Sequence, residues 1–142
     1  MLTEIVVGGA TSLVNLVIHA LLITAASHAV LGLSVRDTQL PLYLQRVIVI
    51  VATGALLVAG HLVEVMLWAL TYEIVGAVPP GTDLVYFAFG NYTTLGYGDV
   101  IPVEGWRILG PMTALNGILL IGWSTALIFQ VLRRTNPEWG KR

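Results

Sequence analysis

Three long apolar segments constrain the fold of this chain more than any other feature. They run from about Ile5 to Leu31, from about Arg46 to Val75 and from about Trp106 to Leu132. At 1.5 Å per residue, each helix would be roughly 40 Å long or slightly more, which is enough to cross a hydrocarbon core of about 30 Å. The segments therefore predict three transmembrane helices.

The composition and the distribution of charge agree with a membrane protein. The chain is 56% hydrophobic and only 11% charged, and it contains no cysteine, which excludes disulfides and thiolate metal sites. The first segment lacks the basic region of a signal peptide and is too long for one, so we expect a retained helix. No Lys or Arg precedes Arg36, and the later basic residues include Arg46 and those of the tail. The positive-inside rule then predicts a multi-pass protein of the cell (inner) membrane, with the N-terminus outside and the C-terminus cytoplasmic.

A short helix that does not span the membrane is predicted between the second and third segments. Pro79-Pro80-Gly81 forbids continuation of the second helix. Thr82 or Asp83 can cap a helix that ends at Tyr92, and its negative C-terminal end would favour a cation.

The stretch Thr93–Asp99, called the filter stretch below, reads Thr-Thr-Leu-Gly-Tyr-Gly-Asp. Gly96 and Gly98 permit unusual dihedrals, so successive carbonyls can point one way and replace the water around a potassium ion. The predicted ion ligands are the carbonyls of Thr94, Leu95, Gly96 and Tyr97 with the Thr94 hydroxyl, and Gly98 completes the filter. A Gly-rich turn is the alternative, but the paired Thr residues and the flanking apolar segments favour ion binding.

On these residues, the chain resembles the pore unit of tetrameric potassium channels, in the small bacterial class with little beyond the pore. The resemblance covers roughly Arg46 to Leu132 and leaves out the first 45 or so residues. It implies an all-α membrane protein with three transmembrane helices, a re-entrant pore helix and a filter loop, assembled as a homotetramer in the lipid bilayer. Potassium would be the permeant ion, with no cofactor and no nucleic acid. The implied divisions are an extra N-terminal helix and loop (1–45), a pore domain (46–132; outer helix 46–75, pore helix 82–92, filter 93–99, inner helix 106–132) and a short cytoplasmic tail (133–142).

The surroundings of the filter depart from the pattern of relatives. In many potassium channels, a carboxylate and an aromatic residue of the pore helix hold the Asp that follows the filter. Here those positions fall on Gly90 and Tyr86, so we predict that the Tyr86 hydroxyl reaches Asp99, unless Tyr86 is only a membrane-interface aromatic. Thr93 is a further predicted support, and Leu95 stands where the family more often has Val or Ile.

Candidate gating residues lie in the second and third segments. The resemblance places Gly117 at the hinge of the inner helix, with Gly122 as a second candidate, although both glycines can simply permit close helix contact. Polar residues of the third segment would line a cavity or bond to other helices: Asn116, Ser124 and Thr125.

The i, i+3, i+7 spacing of His61, Glu64 and Trp68 puts them on one helix face, and His19 falls at a depth similar to that of His61. A cluster of His19, His61 and Glu64 would be a hydrogen-bonded structural element or a pH-sensitive gating element. A metal site is the third alternative, although the sequence offers no further ligands for it. Glu64 lies near the level of the filter and is a predicted filter support.

Three functions remain open from the sequence. No nucleotide motif, catalytic triad or Arg-rich voltage-sensor helix is evident, which argues against an enzyme and a voltage-gated channel. The favoured prediction is a potassium-selective channel. The alternatives are a non-conducting sensor or scaffold subunit and a weakly selective cation channel, and the intact Gly-Tyr-Gly argues against the last of these.

Overall fold

The computed structural model describes residues 1–34 and 40–135 and contains four α-helices in these ranges. They are α1 (Leu2–Ser34), α2 (Leu42–Val75), α3 (Leu84–Tyr92) and α4 (Leu109–Thr135). α1 (over Leu2–His28), α2 and α4 are long and apolar enough to cross a membrane. The predicted all-α membrane fold with three spans is confirmed.

The helix ends differ from the predicted ends where local bonds extend or delay a helix. α2 begins at Leu42 instead of residue 46, because Pro41 opens the helix and its carbonyl accepts the first backbone bonds. α4 begins at Leu109 instead of residue 106, because turns occupy the preceding residues. It ends at Thr135, so Arg133 and Arg134 lie in its last turn, where the helix dipole favours cations, and not in a tail. The loop around Arg36 and the tail from residue 136 onwards lie outside the described residues, and the division at residue 45 stays a prediction.

α1 packs against α2 and α4 of its own chain. The Glu4 carboxylate accepts a bond from the Ile108 amide just before α4 begins, over 3.3 Å. Near the other end of the bundle, Ala26 packs in one cluster with Val49 and Leu127. α1 is therefore antiparallel to α2 and parallel to α4.

α3 is inserted between the C-terminal half of α2 and the N-terminal half of α4. Its N-terminus is capped by Asp83, whose carboxylate accepts the Tyr86 amide over 3.0 Å. Its buried face joins a core that includes Trp68, Phe87 and Leu109. A polar layer that includes Glu64 lies between this core and the second apolar cluster, which contains Ala26, Val49 and Leu127.

Candidate functional site

The filter stretch leaves the C-terminus of α3 through a Schellman motif. The Thr94 amide donates to the Asn91 carbonyl over 2.9 Å, and the Leu95 amide donates to the Gly90 carbonyl over 2.8 Å. The position that this motif usually gives to glycine is taken by Thr94, with φ 62°. Thr94 is the one non-glycine residue with positive φ in the described part of the chain, and such a β-branched residue costs about 1–3 kcal/mol of strain.

Left-handed φ values recur at every second residue of the filter stretch. Gly96 (52°) and Gly98 (76°) follow Thr94, whereas Leu95 and Tyr97 between them do not have positive φ. A regular strand has no such alternation. Alternating handedness allows successive carbonyl oxygens to face one side, which is the arrangement that a stack of carbonyl ligands requires.

Asp99, at the far end of the filter stretch, is held by the residue that the sequence analysis selected. The Tyr86 hydroxyl donates to Asp99 Oδ2 over 2.9 Å. This bond raises the pKa of Tyr86, because the carboxylate stabilises the protonated hydroxyl. At Gly90, where relatives carry a carboxylate, an added Cβ would meet no atom within 4 Å. A cavity of about 110 Å³ lies here, lined by Gly90 and Asp99 among others.

The apolar side chains of the filter stretch are not covered within one chain. Leu95 is 57% exposed and Tyr97 is 70% exposed. Both line a cavity of about 520 Å³ together with Phe89 and Gly90 of α3. The packing of these side chains against α3 is therefore incomplete in a single chain.

A buried polar cluster lies behind the end of α3. The structure brings together the three residues that depth and spacing predicted: Glu64 Oε1 lies 2.7 Å from His19 Nδ1, and Glu64 Oε2 lies 2.9 Å from His61 Nδ1. Two further residues join the cluster. The Tyr92 hydroxyl donates to Glu64 and lies 2.8 Å from His61 Nδ1, and the Ser124 hydroxyl bonds to the Nε2 atoms of both histidines.

Two histidines and a carboxylate are a donor set that suits zinc, and their candidate ligand atoms lie within 4.8 Å of one another. In the structure, however, all four ring nitrogens and both carboxylate oxygens already have hydrogen-bond partners. Of the three interpretations of the cluster, the geometry favours a hydrogen-bonded element over a metal site.

The family model for ion channels matches residues 60–134, which is more than half of the chain. The chain belongs to the ion-channel family. This is a family of two-transmembrane channels that includes potassium-channel pores. The match begins within α2 and covers α3, the filter stretch and nearly all of α4, so α1 lies outside it. Neither a curated protein nor a solved structure matches the chain.

In this channel, the two candidate hinge glycines have opposite surroundings. A Cβ on Gly117 would lie 2.0 Å from the Tyr92 carbonyl oxygen, so Gly117 is where the end of α3 touches α4. A Cβ on Gly122 would meet nothing within 4 Å. Close helix contact thus accounts for Gly117, and a hinge role stays a prediction for both residues.

Two of the three polar residues that the sequence analysis selected in α4 bond to other helices, and for Thr125 the cavity-lining role stays a prediction. The Asn116 side chain accepts bonds from Asn15 of α1 and from the Trp68 indole of α2, each over 3.0 Å. Ser124 also bonds to other helices, whereas Thr125 is exposed and bonds to its own helix at Ile121. Helix-to-helix bonds therefore account for the two buried residues.

Sequence reasoning missed two members of the channel's polar layer. The sequence did not predict a role for Asn15, and it predicted Tyr92 only as the last residue of a helix. A regular i, i+4 spacing links Asn15 to His19, and i, i+8 links Asn116 to Ser124, so periodicity held a signal for this layer. No comparable signal marks Tyr92, because its partner Glu64 lies on another helix.

Proposed function

We propose that this channel is potassium-selective and conducts K⁺ passively through the carbonyls of Thr94, Leu95, Gly96 and Tyr97. The observation that carries the proposal is the alternating φ at Thr94, Gly96 and Gly98, directly after the C-terminus of α3. The C-terminal end of a helix carries partial negative charge, which favours a cation beside it. The intact Gly-Tyr-Gly favours potassium over a weakly selective pore, and conduction of this kind requires no cofactor or catalytic residue.

The proposal includes assembly as a homotetramer in the bilayer. One filter stretch supplies only one wall of a pore, and the chain contains no second copy of it. The exposed Leu95 and Tyr97 and the cavity of about 520 Å³ beside them are apolar surfaces that neighbouring subunits would cover.

We also propose that the N-terminus and the filter mouth face outward. Arg46 and Arg133 belong to the end of the bundle where Val49 packs with Val131. Acidic residues lie towards the opposite end, at Asp83 and Asp99. By the positive-inside rule, the basic end is cytoplasmic.

Potassium and sodium fluxes into liposomes that contain the purified protein test the proposal. We expect potassium flux in clear excess of sodium flux, and loss of that flux in Gly98→Ala, because Gly98 has φ 76° and alanine disfavours this region. Gly54→Ala is the matched control, since Gly54 lies within α2 and its added Cβ would meet nothing within 4 Å. No flux of either ion would favour a scaffold subunit, and equal fluxes a weakly selective channel.

A further inference from the structure

The buried cluster forms a closed ring of four hydrogen bonds that joins three helices, and we call it the buried ring. Its members are Glu64 and His61 of α2, His19 of α1 and Ser124 of α4. The bonds run from Glu64 to His19 (2.7 Å), from His19 to Ser124 (3.3 Å), from Ser124 to His61 (3.0 Å) and back to Glu64 (2.9 Å). Glu64, His19 and Ser124 are 0%, 1% and 5% exposed and the His61 side chain is 20% exposed, so three of the four members are shielded from bulk water.

With the Tyr92 hydroxyl donating to Glu64, the ring is complete with only one number of protons on its own members. Each of the four bonds needs one proton, and the Ser124 hydroxyl supplies one of them. Glu64, His19 and His61 must therefore hold three between them. Either the carboxylate faces one imidazolium and one neutral imidazole, or a protonated carboxyl faces two neutral imidazoles. Both arrangements have zero net charge.

A change in the proton number is costly at this depth. With one proton fewer, one bond of the ring has no proton and the ring is negatively charged. With one proton more, an N–H or O–H has no acceptor in the ring, and the ring is positively charged. Unpaired polar groups and net charge are both unfavourable in an apolar environment within the membrane.

The ring is connected to the filter stretch through Tyr92. The Tyr92 hydroxyl donates to Glu64, and Tyr92 is the last residue of α3, two residues before Thr94. Its side chain is 1% exposed, and its carbonyl lies against Gly117. The position of the end of α3 therefore depends on where the ring holds Glu64.

The groups that face the ring come from all four helices. α1 contributes His19, α2 contributes His61 and Glu64, and α3 contributes Tyr92. From α4, Ser124 faces the ring and the Trp123 ring lies 5.7 Å from His19, centroid to centroid. Neither of these two residues titrates. The charged residues of α4, Arg133 and Arg134, lie roughly 14 Å or more further along the helix.

We infer that Glu64 positions the filter stretch through Tyr92, and that the proton number of the buried ring decides whether it does so. Glu64 then takes the place of the pore-helix carboxylate that Gly90 lacks. α1 acts on the filter through His19. Potassium conductance has a maximum at intermediate pH and falls on either side. The inference rests on the proposed potassium channel.

Glu64→Gln tests the inference, because glutamine closes the ring without a proton to lose. Its amide N–H donates to one imidazole and its carbonyl accepts from the other, so two neutral histidines complete the ring. In wild-type protein we expect potassium flux to fall roughly tenfold from its maximum at alkaline pH, the effect of one unsatisfied buried hydrogen bond. Glu64→Gln should lose this alkaline fall and keep the acid one. His28→Gln is the control, since His28 is exposed on α1 outside the ring.

A second measurement separates this inference from the proposed function. The midpoint of thermal unfolding of the purified protein in detergent should follow the same pH profile, with the alkaline fall absent in Glu64→Gln. That unfolding profile without potassium flux would support the ring and refute the channel proposal. Potassium flux with the same pH profile in wild-type protein and Glu64→Gln, or an equal change in His28→Gln, would overturn the ring and leave the channel proposal standing.

Discussion

Replacing Gly117 with alanine is expected to displace the end of α3 and with it the filter stretch. An added Cβ would lie 2.0 Å from the Tyr92 carbonyl oxygen, 2.9 Å from its carbonyl carbon and 3.2 Å from its Cα. All three are backbone atoms, so no side-chain rotation relieves the clash. The backbone of Tyr92 must move by about 1 Å, since real Cβ contacts are essentially never shorter than 3.0 Å.

The loss in free energy of unfolding caused by that movement depends on the contacts that fix Tyr92. Overpacking a well-packed site typically costs about 1–3 kcal/mol, and occasionally more. Here the displaced residue also bonds to Glu64 and precedes the strained Thr94, so we expect a cost at the upper end, about 3 kcal/mol. Alanine otherwise favours a helix by about 1 kcal/mol over glycine, which offsets only part of this loss.

Thermal unfolding in detergent and potassium flux in liposomes measure the two consequences. Gly122→Ala is the matched control, because it lies on the same helix and its added Cβ would meet nothing within 4 Å. We expect Gly117→Ala to lower both the unfolding midpoint and the flux, and Gly122→Ala to keep or raise the midpoint. If Gly117→Ala unfolds like wild-type protein and only its gating changes, the close-contact argument is wrong and the hinge interpretation is favoured.

Three further substitutions test single contacts. Tyr86→Phe removes the 2.9 Å bond to Asp99, so we expect a faster decline of potassium flux during sustained conduction, and an unchanged decline would contradict a supporting role. Asp99→Asn should lower the pKa of Tyr86 towards 10.0, measured as tyrosinate absorbance against pH, because the carboxylate that stabilises the protonated hydroxyl is gone. Trp68→Phe removes the indole donor to Asn116, whose oxygen retains the Asn15 donor, so the free energy of unfolding should fall by only about 1 kcal/mol, and a loss of several times that size would show a wider role for the indole.

The parts of the fold that depend on local chemistry were predictable from the sequence. Apolar length predicted the three spans, and the Pro79-Pro80-Gly81 break with the Asp83 cap predicted α3. The predicted helix ends were less accurate. No strong start signal precedes α4, so the turn bonds of the preceding residues decide where this helix begins.

The candidate site was predictable only in part. The periodicity of α2 predicted that His61 and Glu64 share a face. The distances along α1 and α2 predicted that His19 lies at the same depth in the membrane as His61. The closing member, Ser124, comes from α4 and the attached Tyr92 comes from α3, and no spacing along one helix relates them to Glu64. A ring that three helices complete exists only after those helices have packed.

The sequence by itself determined that the chain carries three membrane-length helices and a Thr-x-Gly-Tyr-Gly stretch, because length, hydropathy and glycine positions are properties of neighbouring residues. Only the tertiary structure decided which residues contact and support that stretch. The absence of a side chain at Gly117 lets α3 touch α4, and Tyr92 thereby reaches a carboxylate on α2 instead of one on its own helix. These contacts depend on the distance between helices, which the order of residues along the chain does not state.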